Sequence, residues 1–63
     1  MPILREWNVF YRYSNGFNKE MPHLEGKIYN DTRFLDGSEV VTSTVLELKE
    51  GYAKTRNTEY ILE

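Results

Sequence analysis

Apolar and polar residues alternate with a period of two along most of this chain, which is typical of β-strands with one buried face. In the segment 7–13, one face carries Trp7, Val9, Tyr11 and Tyr13, and the other carries Asn8, Phe10 and Arg12. The β-branched and aromatic residues favour a strand here. A helix between Met1 and Arg12 is the alternative, because some of these side chains also fall at helical spacing together with Leu4.

The longest predicted loop covers residues 14–23. Ser14-Asn15-Gly16 is a turn signal, and the proline at position 22 disfavours helix for the residue before it. We expect His23, at the end of this loop, to be a solvated residue without a functional role.

Further strands are predicted at Leu24–Tyr29, Glu39–Lys49, Tyr52–Arg56 and Glu59–Leu62. Gly26 within the second strand indicates a bulge, a sharp bend or a close approach of two backbones. Glu50-Gly51 and Asn57-Thr58 are the predicted hairpin turns. Five short strands in this order predict an all-β fold: a small meander that forms an SH3-like barrel or a strongly bent antiparallel sheet.

The strand Glu39–Lys49 is apolar or hydroxylic on both faces between Val40 and Val45, so both faces are expected to be covered there. A barrel interior would cover one face and a subunit interface the other. Such an interface would be supplied by exposed apolar residues, for which the candidates are Phe10, Val41, Val45 and Ile61.

The length of 63 residues predicts a single domain spanning residues 1–63. A core this small barely offsets the entropy of ordering the chain. The chain has no cysteine, so neither disulfides nor thiolate metal sites can contribute. We therefore expect a homo-oligomer.

Charge argues against long nucleic acid as a partner. The formal net charge is −2, the pI is near 5.3, and no basic stretch is visible, whereas proteins that bind many phosphates carry a basic patch. No apolar run is long enough to span a membrane, and the N-terminus lacks the layout of a signal peptide. The sequence predicts a cytoplasmic protein that binds no membrane.

The chain carries no recognisable catalytic or metal-binding motif, so we expect neither enzymatic activity nor a cofactor. Asp31 and Asp36 are a possible carboxylate pair. The better interpretation is that Asp31-Thr32 starts a turn and that Asp36-Gly37 is a turn dipeptide.

The candidate binding residues are Arg33, Phe34, Thr42, Ser43, Arg56 and Tyr29. An arginine matches phosphate or carboxylate geometry, aromatic rings offer faces for a base, and hydroxyls donate hydrogen bonds. This set suits a small phosphorylated ligand that contains a base. Each residue also has a structural interpretation: threonines as strand residues, Phe34 as a core anchor, and the arginines as partners of nearby carboxylates such as Asp36 or Glu59.

The chain also resembles a group of small phage and prophage β-proteins, in its N-terminal strand Trp7–Tyr11 and in a motif of twelve positions. The motif residues are Gly26, Arg33, Phe34, Asp36, Gly37, Val40, Thr42, Ser43, Val45, Thr55, Tyr60 and Leu62. Phage proteins of this type include the anti-CBASS sponges, which sequester the cyclic nucleotide signals of bacterial antiphage defence without cleaving them.

The resemblance implies a homo-oligomer in the cytoplasm of an infected bacterium that binds a cyclic dinucleotide, such as cyclic GMP-AMP, between subunits. Arg33, Thr42, Ser43 and Arg56 would contact phosphates, and Phe34 or Tyr29 would stack on a base. Two alternatives remain open: an accessory protein that binds a host protein through an apolar patch or sheet edge, and a small nucleic-acid-binding barrel.

Overall fold

The computed structural model describes all 63 residues and consists of strands and connecting turns. The strands are β1 (Ile3–Ser14), β2 (Lys19–Tyr29), β3 (Ser38–Val41), β4 (Val45–Lys49), β5 (Tyr52–Thr55) and β6 (Glu59–Leu62). They form one sheet in the order β3-β2-β1-β6-β5-β4. No helix that could cross a membrane is present. The prediction of a small all-β fold is confirmed.

The number and connection of the strands differ from the prediction. The expected strand Glu39–Lys49 is divided at residues 42–44 into β3, which pairs with β2, and β4, which pairs with β5. β1 and β6 run parallel, so the sheet is mixed and not a purely antiparallel meander. Both edge strands adjoin the same three-residue corner, so the sheet curls toward itself but does not close into a barrel.

β1 is a strand from Ile3 to Ser14, so the helical alternative for this segment is wrong. Its alternation shifts at a β-bulge between Arg5 and Asn8, where Glu6 adopts a φ of 51°. Leu4 and Trp7 both pack in the core, although regular alternation would place residues three positions apart on opposite faces. The extra residue of the bulge therefore turns Trp7 toward the same side of the sheet as Leu4.

Gly26 on β2 lies against this bulge. A Cβ atom at this position would lie 2.9 Å from the carbonyl oxygen of Arg5 and 3.0 Å from the Cα of Trp7. The predicted close approach of two backbones at Gly26 is confirmed.

The prediction of a loop at residues 14–23 is wrong. β1 and β2 form a long hairpin, and its turn covers only residues 15–18. Pro22 lies within β2 and pairs with Tyr11. β3 pairs only with residues 25–28 of β2. The strand is therefore an open edge at position 22, and proline is tolerated on such an edge.

The core comprises seven buried residues from five of the strands, and Trp7, Val9 and Val40 pack against it. The buried residues are Leu4, Leu24, Ile28, Val45, Ala53, Tyr60 and Leu62. One expectation is wrong here. Val45 is buried instead of exposed, because it faces the buried Thr55 across the β4–β5 pair. Of the other proposed interface residues, Val41 and Ile61 are exposed and Phe10 is half-buried.

His23 is also buried, with only 5% of its surface exposed, and is not the solvated loop residue that was expected. Its Nδ1 lies 3.0 Å from the carbonyl oxygen of Thr42. Its ring stacks on Phe10, with the ring centres 5.6 Å apart. The first contact joins the corner at residues 42–44 to β2, and the second joins β1 to β2.

Candidate ligand-binding site

The loop between β2 and β3 is held by short-range hydrogen bonds from its aspartates. Asp36 Oδ1 accepts a hydrogen bond from the backbone N–H of Asn30 at 2.9 Å. Gly37 has a φ of 87° and donates its N–H to the carbonyl oxygen of Ile28 at 2.7 Å. The Asp36-Gly37 dipeptide therefore forms a turn, as predicted, because glycine adopts positive φ without strain.

Asp31 fixes the side chain of Arg33. Its Oδ1 accepts hydrogen bonds from the backbone N–H of Arg33 at 2.9 Å and from Nε at 3.1 Å, and its Oδ2 accepts one from Nη2 at 2.7 Å. These hydrogen bonds lower the pKa of Asp31 to about 2. The pKa of Arg33 is raised, chiefly by the hydrogen bond to Asp31. The guanidinium thus has a defined position and is partly neutralised by its partner.

Arg33 and Phe34 form a stacked pair at the surface. The Cζ atom of Arg33 lies 5.4 Å from the centre of the Phe34 ring, within the range of a cation–π contact. Phe34 is 45% exposed. It is not the core anchor of the structural interpretation, and much of its ring is accessible to a ligand.

The corner at residues 42–44 adds hydroxyl groups. The Thr42 hydroxyl accepts a hydrogen bond from the N–H of Leu24 at 3.0 Å and donates one to the carbonyl oxygen of Ser43 at 2.8 Å. Its only proton is therefore already used in a hydrogen bond within the chain. The Ser43 hydroxyl is different: its oxygen is buried and has no hydrogen-bond partner.

These residues meet around one depression of about 130 Å³, which we call the corner depression. Its lining residues are Ile28, Arg33, Phe34, Val40, Val41, Thr42, Ser43, Asn57, Thr58 and Tyr60. They come from β2 and the β2–β3 loop, from β3 and the corner, and from the β5–β6 turn and β6. Four of the six predicted binding residues are thus brought together: Arg33, Phe34, Thr42 and Ser43.

The other two predicted binding residues, Arg56 and Tyr29, do not line the corner depression. Arg56 is exposed beside it, and its backbone N–H donates to the carbonyl oxygen of Thr44 at 3.1 Å. Tyr29 pairs with Ile3 across β1 and β2. The guanidinium carbon of Arg5 lies 4.6 Å from the centre of its ring. The Tyr29 hydroxyl lies near Gly37, 3.7 Å from where a Cβ atom would be at that glycine.

Asn57, Thr58 and Tyr60 were not among the predicted site residues. Asn57 offers an amide and is exposed, whereas Tyr60 is buried and contributes to the raised pKa of Arg33. Asn57 was recognisable in the sequence as a turn residue with a free amide. Nothing local in the sequence signals that this turn lies against the corner.

A second concave surface lies over β1, β2 and β3, and we call it the acidic groove. It has a volume of about 440 Å³ and is lined by Glu6, Asn8, Glu25, Gly26, Lys27, Glu39, Val40 and Val41. Three carboxylates face one ammonium group, so this groove does not suit an anionic ligand. No three histidine, aspartate or glutamate side chains are arranged to hold a metal ion.

Comparison of the chain with protein-family models, with curated proteins and with solved structures finds no match.

Proposed function

We propose that this protein is a phage-encoded binding protein that sequesters a cyclic dinucleotide defence signal, such as cyclic GMP-AMP, without cleaving it. One observation carries the proposal. Arg33 and Phe34 of the β2–β3 loop and Ser43 of the corner surround one depression, and the buried Ser43 hydroxyl has no partner within the chain. An unpaired buried hydroxyl is costly, and a ligand that hydrogen-bonds to it would remove that cost.

The chemistry of these groups suits a nucleotide. The Phe34 ring offers an accessible face on which a base stacks. Arg33 is held in place by Asp31 through Nε and Nη2, which leaves Nη1 to donate to a phosphate or carbonyl oxygen. Asn57 adds an amide that both donates and accepts hydrogen bonds. Among nucleotides, we choose cyclic dinucleotides because the chain resembles the anti-CBASS sponges, which bind such signals.

The corner depression is smaller than a complete site for such a ligand. Pockets for small molecules usually measure about 300–1,000 Å³, whereas this depression measures about 130 Å³. We infer that it receives one part of the ligand, a base or a phosphate, and that a second subunit of a homo-oligomer covers the rest.

Isothermal titration with a panel of cyclic di- and trinucleotides tests the proposal. Binding without turnover is expected, with at least one member of the panel recovered unchanged from the complex. Phe34→Ala is expected to weaken binding by about 1–3 kcal/mol, the usual contribution of base stacking. The matched control is Phe17→Ala, because Phe17 is a similarly exposed phenylalanine in the distant β1–β2 turn.

Arg33→Ala is compared with Arg56→Ala in the same titration. A larger loss of affinity with Arg33→Ala is expected if the corner depression is the site. Absence of binding to every nucleotide by the folded wild-type protein would overturn the proposal. Cleavage of the ligand would overturn the sequestering role alone.

A second candidate function is supported by the free edge of β4. This edge strand has no partner on one side, and Leu46 and Leu48 are exposed on it. Exposed apolar edge strands can bind a partner by adding one of its strands. A protein acting in this way would co-purify with a host protein, lose it on Leu46→Lys substitution, and be indifferent to nucleotides.

A further inference from the structure

The outer face of the β1–β2 hairpin changes from basic at its tip to acidic at its base. This outer face carries Asn8, Phe10 and Arg12 of β1 and Lys19, Met21, His23 and Glu25 of β2. Arg12 and Lys19 lie toward the turn, and Glu25 lies toward the sheet. The base continues into the acidic groove, which adds Glu6 and Glu39.

The charges at the two ends form no salt bridge within the chain, although the Arg12 guanidinium carbon lies 6.0 Å from the centre of the Phe10 ring. The four salt bridges of the protein join Arg5 to Glu63, Lys27 to Glu6, Arg33 to Asp31, and Lys49 to Glu47. Arg12, Lys19, Glu25 and Glu39 take part in none of them. Lys27 is already paired with Glu6 at 3.3 Å, so the groove keeps the unpaired carboxylates of Glu25 and Glu39.

The centre of the outer face is apolar. Phe10 stacks on the buried His23, and Phe10 and Met21 are themselves half-buried. Arg12 lies two residues from Phe10 toward the tip, and Glu25 lies two residues from His23 toward the base. At about 3.4 Å per residue, each charge is about 7 Å from the Phe10–His23 pair. A two-fold rotation about this pair would exchange the basic and acidic ends.

We propose that two copies of this chain pack the outer faces of their hairpins against each other around Phe10 and Met21. The two hairpins run in opposite directions, and Arg12 of each copy faces Glu25 of the other. Lys19 of each copy enters the acidic groove of its partner near Glu39. The opposite charges and the apolar centre lie on one surface, so that surface is complementary to itself, as a two-fold interface requires.

The shape of the hairpin favours this partner. β6 pairs only with Ile3 and Leu4 of β1, and β3 pairs only with residues 25–28 of β2. Most of the outer half of the hairpin therefore extends as a two-stranded ribbon with open edges, an arrangement that is marginally stable in water by itself. Packing against a second hairpin would stabilise it. This interface does not depend on the ligand proposed above.

Charge reversal and mixing test this interface by sedimentation velocity over a range of concentrations and salt. The wild type is expected to form a dimer that weakens as salt is raised. Arg12→Glu and Glu25→Arg are each expected to weaken dimerisation roughly tenfold or more, because like charges then face each other twice. An equimolar mixture of the two variants is expected to restore the dimer, because both contacts are then between opposite charges.

Restoration on mixing also shows that both variants are folded, and circular dichroism of each alone checks this directly. Lys19→Glu mixed with Glu39→Lys gives a second, independent pair. A monomeric wild type at all concentrations would overturn the proposal. So would a dimer that neither single variant weakens, and so would two folded monomeric variants that fail to associate when mixed. None of these results would decide whether the protein binds a nucleotide, because the titrations test that proposal separately.

Discussion

Gly26 and Trp7 are in contact across the β1–β2 pair so closely that a Cβ atom at Gly26 would lie 3.0 Å from both the Cα and the Cβ of Trp7. The contact places the bulge of β1 directly against the backbone of β2. Because the facing atoms include backbone, neither side can move away at small cost.

Gly26→Ala is therefore expected to destabilise the protein by about 1–3 kcal/mol, the usual cost of overpacking. Chemical denaturation monitored by tryptophan fluorescence measures the change. The matched control is Gly16→Ala, since a Cβ there would meet only the Ser14 hydroxyl at 3.9 Å. Its effect is expected to be neutral or slightly stabilising. Equal unfolding midpoints for the two variants would contradict the close approach.

Thr42 and Ser43 allow a structural hydroxyl to be compared with an unpaired one. Thr42→Val removes the acceptor of the Leu24 N–H and is expected to cost about 1–3 kcal/mol, because a buried donor is left unsatisfied. Ser43→Ala is expected to leave stability unchanged or to raise it, since it removes a buried hydroxyl that has no partner, but to weaken nucleotide binding. Thermal unfolding and titration of both variants check this. Loss of stability with Ser43→Ala and intact binding would argue against a ligand role for Ser43.

The Asp31–Arg33 contact predicts a specific pH dependence. The pKa of Asp31 is lowered to about 2 in the folded protein, whereas an unperturbed aspartate has a pKa of about 3.9. The unfolded chain therefore binds the proton more readily. The stabilising contribution of Asp31 is fully present above about pH 4 and is lost as the pH falls toward 2. Carboxyl chemical shifts measured by NMR across this range give the pKa directly.

The control for this titration is Arg33→Gln, which removes the guanidinium and should return the pKa of Asp31 toward its ordinary value. If the pKa of Asp31 is the same in both proteins, the contact seen between the two side chains is not maintained in solution. The same variant tests the ligand site, because it removes the charge and keeps a polar side chain that donates hydrogen bonds.

Local chemistry determined most of the strands and turns of this protein. Alternation from Trp7 to Tyr13 predicted a strand, and Glu50-Gly51 predicted a hairpin turn, where Gly51 adopts a φ of 73°. These features depend on residues close together in the sequence, because side-chain alternation and positive φ are properties of short segments. The loop between β2 and β3, which we call the Arg33 loop, was predictable for the same reason: Asp31 and Asp36 accept hydrogen bonds within it.

The tertiary structure alone decided which faces are buried and which segments meet. Pro22 lies in a strand because β3 leaves that edge of β2 open, and His23 is buried because the chain returns at Thr42. Likewise, Ser43 and Asn57 reach the Arg33 loop only because the corner at residues 42–44 joins the two edges of the sheet. Such contacts join residues far apart in sequence, and their free energy depends on the packing of the whole sheet. The alternation of side chains in the sequence assigns the residues of a strand to its two faces. Only the packing of the complete sheet determines what each face contacts.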